Sequence, residues 1–272
     1  MPPLSGRVAV CVHGFYTNIS DLALLGGHLA SVQQAGSPYY DYVIGFQYTS
    51  NVPLKEIGTA LATSMQNILG PPGITQVDVY AHSMGNLVSR WAIEQGNGTY
   101  RIGPLRGGGH YVSLGGPHAG IPLGDLSIFA AFVTYFPTET RPLLMDLATN
   151  GRNGPPTYTT FLTDLNPANS LGPDYASAHY YSVSASNYLD ELPIGPPIDF
   201  LYYLAVPPSG VVDDGLVAIY SAQNPVLGRE SQTWYAGPTL DIGHHDLVTP
   251  TKDPRTNLSS FDVIDQLIAS WN

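Results

Sequence analysis

Short apolar stretches with the alternating period of β-strands take turns along the chain with longer stretches that have the spacing of amphipathic helices. Such an alternation implies right-handed crossovers and a mostly parallel central sheet with helices on both faces, which is an α/β fold. No internal repeat or low-complexity linker interrupts the pattern, so residues 1–272 are expected to form a single domain. The pattern predicts strands at 7–12, 42–48, 76–81, 110–114, 179–185 and 232–236, and helices at 22–34, 54–69, 86–94 and 261–271.

Two apolar segments, 121–147 and 189–208, break this alternation. The first contains an almost continuous apolar run at 126–136, and the second contains another at 196–206. Each segment follows a predicted strand, so each should lie over the carboxyl edge of the sheet, where open α/β sheets bind ligands. Two interpretations remain open: the segments are buried core helices, or they form an apolar wall or movable cap over a ligand site.

The strand predicted at 76–81 runs into the pentapeptide Ala-His-Ser-Met-Gly, centred on Ser83, and then directly into a helical pattern. A serine on such a sharp strand-to-helix turn needs small residues two positions before and after it, and Ala81 and Gly85 meet that need. Its hydroxyl then stands clear of the backbone, and the amide of Met84 points into the same space from the helix N-terminus. The sequence therefore predicts that Ser83 is a nucleophile.

A second motif, His13-Gly14-Phe15, follows the first predicted strand. Gly14 would let the backbone turn close to a substrate and leave the amide of Phe15 pointing into the site. The amides of Phe15 and Met84 would then supply the two donors that a tetrahedral oxyanion needs. His13 is expected to be a structural hydrogen-bonding residue, because the end of the strand points it beneath the loop.

A serine hydroxyl is inert at neutral pH unless an adjacent imidazole, itself oriented by a carboxylate, takes its proton. Two downstream segments offer these groups. Asp213 and Asp214 lie on a turn after an apolar run, and His244 and His245 follow the last predicted strand. Both segments should reach the same edge of the sheet. The residues alone leave Asp213 open beside Asp214 as the acid, and His245 open beside His244 as the base.

Taken together, these motifs resemble a known family. Val-His-Gly-Phe, Ala-His-Ser-Met-Gly, Leu-Gly-Gly-Pro-His-Ala-Gly at 114–120, Asp-Gly-Leu-Val and Gly-His-x-x-Leu occur here in the order found in lipases and esterases of the α/β-hydrolase fold. The chain resembles the bacterial lipases that carry Ala in place of the first glycine of the nucleophile elbow. The resemblance implies an α/β-hydrolase with a mostly parallel central sheet, helices on both faces and cap-like insertions.

The resemblance also implies roles for particular residues. The Asp before Gly-Leu-Val is the triad acid of that family, which corresponds to Asp214. The histidine of Gly-His-x-x-Leu corresponds to His244, and the oxyanion donors correspond to the amides of Phe15 and Met84. His118 falls in a segment that is usually structural in the family, so it is not expected to be catalytic.

Composition and net charge exclude several classes of binding partner. The net charge is −11 and only 11% of residues are charged, so no basic patch is available for nucleic acid or for electrostatic docking to anionic lipid. No apolar run reaches the ~18–20 residues that span a membrane. Few charges and many Tyr and Gly residues favour a secreted protein whose signal peptide is absent from this sequence, and a cytoplasmic protein stays open as the alternative. The single cysteine, Cys11, excludes an internal disulfide and is expected in the core.

These observations predict a lipase or esterase that hydrolyses acyl esters of lipids or aliphatic acids through an acyl-enzyme and without a cofactor. A lipid–water interface is a candidate place of action. Some lipases bind calcium near the triad histidine, and Asp213, Asp241 and Asp246 are the candidate carboxylates here, but they lack recognisable ligand spacing, so no metal is expected. An acyltransferase or thioesterase would use the same triad. From another class, a non-catalytic lipid-binding module could keep the same fold.

Overall fold

A six-stranded sheet forms the centre of the structure, a computed structural model. Its strands lie in the order β10–β9–β6–β5–β1–β4, and every neighbouring pair is parallel. The described residues are 4–15, 17–69, 73–95, 109–121, 138–147, 149–150, 157–158, 160–166, 179–187, 217, 219–223 and 234–271.

Ten strands lie in these ranges. The sheet strands are β1 (Gly6–Val12), β4 (Tyr42–Phe46), β5 (Ile74–His82), β6 (His110–Leu114), β9 (His179–Ala185) and β10 (Trp234–Leu240). Two short antiparallel pairs are β2 (Gln33–Gln34) with β3 (Ser37–Pro38), and β7 (Thr149–Asn150) with β8 (Thr157–Tyr158). The α-helices of the same ranges are α1 (Ala23–Ser31), α2 (Leu54–Leu69), α3 (Gly85–Arg90), α4 (Arg141–Leu147), α5 (Thr160–Leu165), α6 (Ile219–Gln223) and α7 (Ser260–Ser270).

Alternate residues of β1 face two separate apolar layers. Val8, Val10 and Val12 pack into a cluster with α2 and α3, whereas Ala9 and Cys11 pack into one with α1 and α7. A parallel strand that is buried on both faces accounts for the continuous apolar run in the sequence. Cys11 is buried as expected, and this burial raises the pKa of its thiol to about 12. The predicted α/β-hydrolase architecture with a parallel sheet is confirmed.

The order of the strands reverses between β1 and β5. From β1 the chain passes to β4 on one side, and then crosses to β5 on the other side and continues outward. Ligands of open α/β sheets bind at such a switch point, beyond the carboxyl ends of the strands. The end of β1 leads into Gly14 and the end of β5 leads into Ser83, so both predicted motifs lie at this point.

Several predicted boundaries differ from those observed. The helix predicted at 22–34 ends at Ser31, because Val32 is extended and residues 33–34 enter the β2–β3 pair around Ala35 and Gly36, which both have positive φ. The strand predicted at 42–48 ends at Phe46, and the helix predicted at 86–94 is α-helical only to Arg90 and continues as a π-helical turn, Trp91–Gln95. The strand predicted at 232–236 is β10, which extends to Leu240.

Most of the two apolar segments lies outside the described residues, including 126–136 and 196–206. The described end of the first segment is α4, whose Leu143, Leu144 and Leu147 are buried in the core. Asp146 of α4 accepts a hydrogen bond from the amide of Leu54 at the start of α2 (2.9 Å). In the part of the chain that the structure describes, no helix is both long and apolar enough to cross a membrane.

Candidate active site

Ser83 occupies the sharp turn between β5 and α3 in a left-handed conformation. Its φ is +53°, a value that non-glycine residues adopt rarely and that is often associated with function. The amide of Ser83 donates to the carbonyl of Leu114 in β6 (2.9 Å), and the carbonyl of Ser83 accepts from the amide and the side chain of Asn86 (3.0 and 2.9 Å). Backbone contacts therefore fix the turn on both sides, and none of them uses the Ser83 hydroxyl.

Packing requires the small residue two positions after Ser83. A Cβ on Gly85 would approach the carbonyl oxygen of Val12 to 2.6 Å, so only glycine allows α3 to start against the end of β1. Met84, between Ser83 and Gly85, is buried and precedes the first turn of α3. As the N-cap residue of α3, Met84 carries one of the backbone N–H groups that have no acceptor within the helix.

The loop after β1 runs directly beside Ser83. A Cβ on Gly14 would lie 2.9 Å from the Cβ of Ser83 and 3.4 Å from its Oγ, which is closer than packed side chains tolerate. Glycine is thus needed for this approach. Phe15 follows as a partly buried residue that packs against the core, so its backbone lies at the edge of the same space.

His13 and Tyr48 hold that loop from below. The amide of Tyr48 donates to Nε2 of His13 (3.2 Å), so the proton of the neutral ring lies on Nδ1, which donates to the carbonyl of Gly14 (3.0 Å). The two rings stack with centroids 4.0 Å apart, and the Tyr48 hydroxyl donates to the His13 carbonyl. Burial lowers the pKa of His13, and the Tyr48 amide already occupies the second nitrogen. His13 therefore has the structural role that the sequence predicted.

If the amide of Phe15 is an oxyanion donor, as the sequence predicts, Gly14→Ala should lower kcat by about 10²- to 10³-fold, the usual cost of losing one such donor, because the new methyl group pushes the loop away from Ser83. The measurement is steady-state hydrolysis of an activated ester together with the melting temperature. Gly27→Ala is the matched control, since a Cβ there meets nothing within 4 Å. Equal activity in the two variants would contradict an oxyanion role for this loop.

His244 lies on the loop that follows β10, residues 241–245, which we call the histidine loop. The amide of Ser186 donates to the carbonyl of Leu240 (2.9 Å) and the amide of Asn187 donates to that of Ile242 (3.1 Å), so the end of β9 fixes this loop. His244 is buried, with 2% of its surface exposed. A Cβ on Gly115, at the end of β6, would lie 3.1 Å from Nδ1 of His244, so the imidazole packs against that glycine.

The next residue, His245, is exposed and begins a short 3₁₀ turn, His245–Val248. Its ring centroid lies 6.2 Å from that of His82, whereas the ring of His244 lies 4.8 Å from it. The structure thus brings His244 to the carboxyl edge among the residues around Ser83 and leaves His245 at the surface. Asp213 and Asp214, the two candidates for the acid, lie outside the described residues.

His82 was not assigned a role by the sequence reasoning, although it precedes Ser83 directly. Its Nε2 donates to the backbone carbonyl of His244 (3.1 Å), and its Nδ1 would lie 3.5 Å from a Cβ on Gly14. The ring is 3% exposed, and burial, with the nearby His244 as a second cause, lowers the pKa of His82 well below its ordinary value. A histidine next to a predicted nucleophile was the available signal, but its partner is 162 positions away in sequence.

Two of the carboxylates that surround His244 in sequence are engaged in local contacts. Asp241 pairs with Arg255 (3.2 Å), and Asp246 accepts from the hydroxyl of Thr251 (2.9 Å) and the amide of Gly243 (3.3 Å). These contacts brace the histidine loop. Across the described ranges, no three His, Cys, Asp or Glu side chains are grouped so that they could hold a metal ion.

His118, in the glycine-rich segment after β6, is fully buried and contacts the hydroxyl of Ser113 through Nε2 (2.8 Å). Burial, reinforced by the nearby charge of Arg90, lowers the pKa of His118 well below its usual value. Its carbonyl accepts from the side chain of Asn166 (2.9 Å). These contacts connect the segment to the core, in agreement with the expected structural role.

Two solved structures share this fold. The product of gene lin2722 from Listeria innocua matches with a TM-score of 0.55 and 12% identity, over 98% of this chain and 96% of its own. Phospholipase PlaB from Legionella pneumophila, in complex with thio-NAD, matches with a TM-score of 0.62 and 13% identity, over 96% of this chain and 58% of its own. The present chain therefore spans under two thirds of PlaB. A search of curated protein sequences gave no match.

A family model described as "Putative serine esterase (DUF676)" matches residues 5–141, just over half of the chain. This range contains β1, Gly14, the β5–α3 turn and Ser83. It ends before the histidine loop, so the match covers the part of the site that contains Ser83 and does not include His244. With the sheet order and the neighbouring structures, this match shows that the chain is an α/β-hydrolase that belongs to the DUF676 serine esterase family.

Proposed function

We propose that this chain is a serine carboxylic-ester hydrolase of the lipase or esterase type, with Ser83 as nucleophile, His244 as general base and Asp214 as the acid of the triad. The backbone amides of Phe15 and Met84 would hold the oxyanion. The conformation of Ser83 carries the proposal: a φ of +53° between a buried strand and a helix presents the hydroxyl to the carboxyl edge of the sheet.

The reaction would proceed in two halves. The Oγ of Ser83 attacks the ester carbonyl while His244 accepts its proton, and the tetrahedral oxyanion takes hydrogen bonds from the two amides. The intermediate collapses as the imidazolium of His244 returns the proton to the leaving alcohol. Water then attacks the acyl-enzyme and gives one proton to His244. The second tetrahedral intermediate collapses as His244 returns that proton to the Oγ of Ser83, which releases the carboxylic acid and restores the hydroxyl.

Asp214 is proposed as the acid because it precedes Gly-Leu-Val, the position that the family motif assigns to it. It would orient the imidazole of His244 and stabilise the charged form that arises during attack. Val217, three residues later, is buried. The choice between Asp214 and Asp213 stays a prediction.

The substrate is proposed to be an acyl ester with an aliphatic chain, presented as a lipid or at a lipid–water interface, and the protein is proposed to be secreted. The low share of charged residues and the two long apolar segments favour an apolar acyl group over a charged substrate. The phospholipase PlaB, which shares the fold at 13% identity, adds a second reason to test lipid esters first.

An assay with p-nitrophenyl esters of graded length tests this proposal. We expect hydrolysis with kcat/KM that rises from acetate to medium and long chains, since each buried methylene contributes about 0.8 kcal/mol. The same incubations with a thioester, or with an added alcohol acceptor, distinguish a thioesterase or acyltransferase. Binding of long-chain esters without turnover would contradict the hydrolase and favour a lipid-binding module.

A further inference from the structure

The imidazole of His82 lies between the two loops that flank the nucleophile. On one side, its Nδ1 is next to Gly14, at 3.5 Å from the position of a Cβ there. On the other side, its Nε2 is 3.1 Å from the carbonyl oxygen of His244, and the two imidazole rings lie 4.8 Å apart at an angle of 41°. One buried ring thus lies against both the loop of Gly14 and Phe15, the oxyanion loop, and the histidine loop.

The hydrogen bond defines the tautomer of His82. A carbonyl oxygen can only accept, so Nε2 of His82 must carry the proton and donate it to His244. In the neutral ring Nδ1 then has no proton, and the side facing Gly14 is uncharged. His82 is the last residue of β5 and directly precedes Ser83, so the ring is anchored to the strand that leads into the proposed nucleophile.

The surroundings keep this ring neutral. Burial is the main cause, and the imidazoles of His13, His244 and His245 each oppose a positive charge on His82. When His244 accepts the proton of Ser83, its ring becomes a cation. A neutral His82 beside it avoids the repulsion that a second cation would cause.

From this geometry we propose that His82 is a positioning residue, whose Nε2–H fixes the backbone of His244 and whose neutral ring sets the spacing between the histidine loop and the oxyanion loop. The inference rests on the proposed roles of Ser83 and His244. In this proposal, the residue that directly precedes the nucleophile in the pentapeptide holds the general base at the correct distance from the nucleophile.

Three substitutions separate the hydrogen bond from the ring. In His82→Gln, the amide nitrogen is four bonds from Cα, as Nε2 of histidine is, so a donor returns to the same place. In His82→Asn, the amide nitrogen is only three bonds from Cα and cannot reach the His244 carbonyl. In His82→Phe, the ring is kept, but the donor is lost.

We expect His82→Phe and His82→Asn to lower kcat by on the order of 10²-fold, the effect of a small displacement of a catalytic group, with KM within about twofold of the wild type. His82→Gln should recover kcat to within about fivefold. Each kcat is divided by the concentration of active sites, titrated with a fluorophosphonate that modifies Ser83. His179→Phe, an exposed histidine at the start of β9, is the matched control and should leave kcat unchanged.

A merely structural role predicts a different result. In that case all three variants would lower the melting temperature and the fraction of titratable sites, while kcat per titrated site would stay near the wild-type value. That result, or a glutamine variant as slow as the phenylalanine variant, would overturn the proposal.

Nitrogen NMR of histidine-labelled protein gives a readout that does not depend on activity. The ring of His82 should carry its proton on Nε2 and stay neutral throughout the pH range in which the protein is folded. A proton on Nδ1, or titration near the ordinary pKa of histidine, would overturn the inference even if the esterase assay succeeds. Conversely, an inactive wild type with the expected tautomer would refute the proposed function and leave the His82–His244 contact standing.

Discussion

Ser83→Ala is expected to abolish ester hydrolysis, with kcat lower by on the order of 10⁶, the cost of removing the nucleophile from a triad of this kind. The fold should survive, because the contacts that hold the turn run through the Ser83 amide and carbonyl and leave the hydroxyl unused. Alanine also tolerates the left-handed conformation about as well as serine does. Hydrolysis at matched protein concentration and the melting temperature are the two measurements.

The control for this variant is Ser31→Ala, at the exposed end of α1, where the hydroxyl donates to the carbonyl of His28 (2.7 Å). It should keep full activity. A fluorophosphonate should add its mass to the peptide that contains Ser83 in the wild type and to no peptide of Ser83→Ala. Activity of Ser83→Ala within tenfold of the wild type, or an adduct on another serine, would refute Ser83 as the nucleophile.

His244→Ala should be nearly as damaging as the serine substitution, again on the order of 10⁶ in kcat, because the two residues act as one unit in proton transfer. His245→Ala should keep most of the activity. The structure supplies the reason for this contrast: His244 is buried beside Gly115 and the ring of His82, whereas His245 is exposed. Both variants are compared for kcat and for the rate of fluorophosphonate modification of Ser83.

The pair of neighbouring histidines makes this a matched comparison, since each variant removes one imidazole from the same loop. Stability controls are needed for His244→Ala, because the buried ring of His244 packs against Gly115. If His245→Ala proves the slower enzyme while both variants keep the wild-type melting temperature, the base has been assigned one position too early.

The alternation of short apolar strands with amphipathic helices was sufficient to predict the fold. Strands β6 and β9 and helix α2 have the bounds expected from sequence, since strands buried on both faces leave continuous apolar runs and α2 has a clear apolar stripe. The end of β10 was misjudged at Gly237 and Pro238, which usually terminate strands. A shift of register between Ala236 and Thr239 accommodates them, and that shift depends on the pairing with β9.

The residues next to Ser83 explain why its turn was predictable from sequence. The requirements for a strained serine, with small residues at positions 81 and 85 and a helix immediately after, are all met within about ten consecutive residues, so the sequence by itself determined the place of Ser83. The Gly14 loop was predictable for the same reason. Both motifs can therefore be recognised from neighbouring residues, although the structure shows that Gly85 and Gly14 are also required by contacts with distant residues, Val12 and Ser83 respectively.

Contacts between distant segments were decided only by the tertiary structure. The sequence left His244 and His245 open, and it is the packing of the β10 loop against Gly115 and His82 that buries one imidazole and exposes the other. His82 itself carried no assignment, because its partner carbonyl lies 162 positions away and becomes a neighbour only when β5 and the histidine loop meet at one edge of the sheet. A pattern of residue types records local conformation and burial, whereas the distance between two loops depends on how all six strands are ordered and twisted between them.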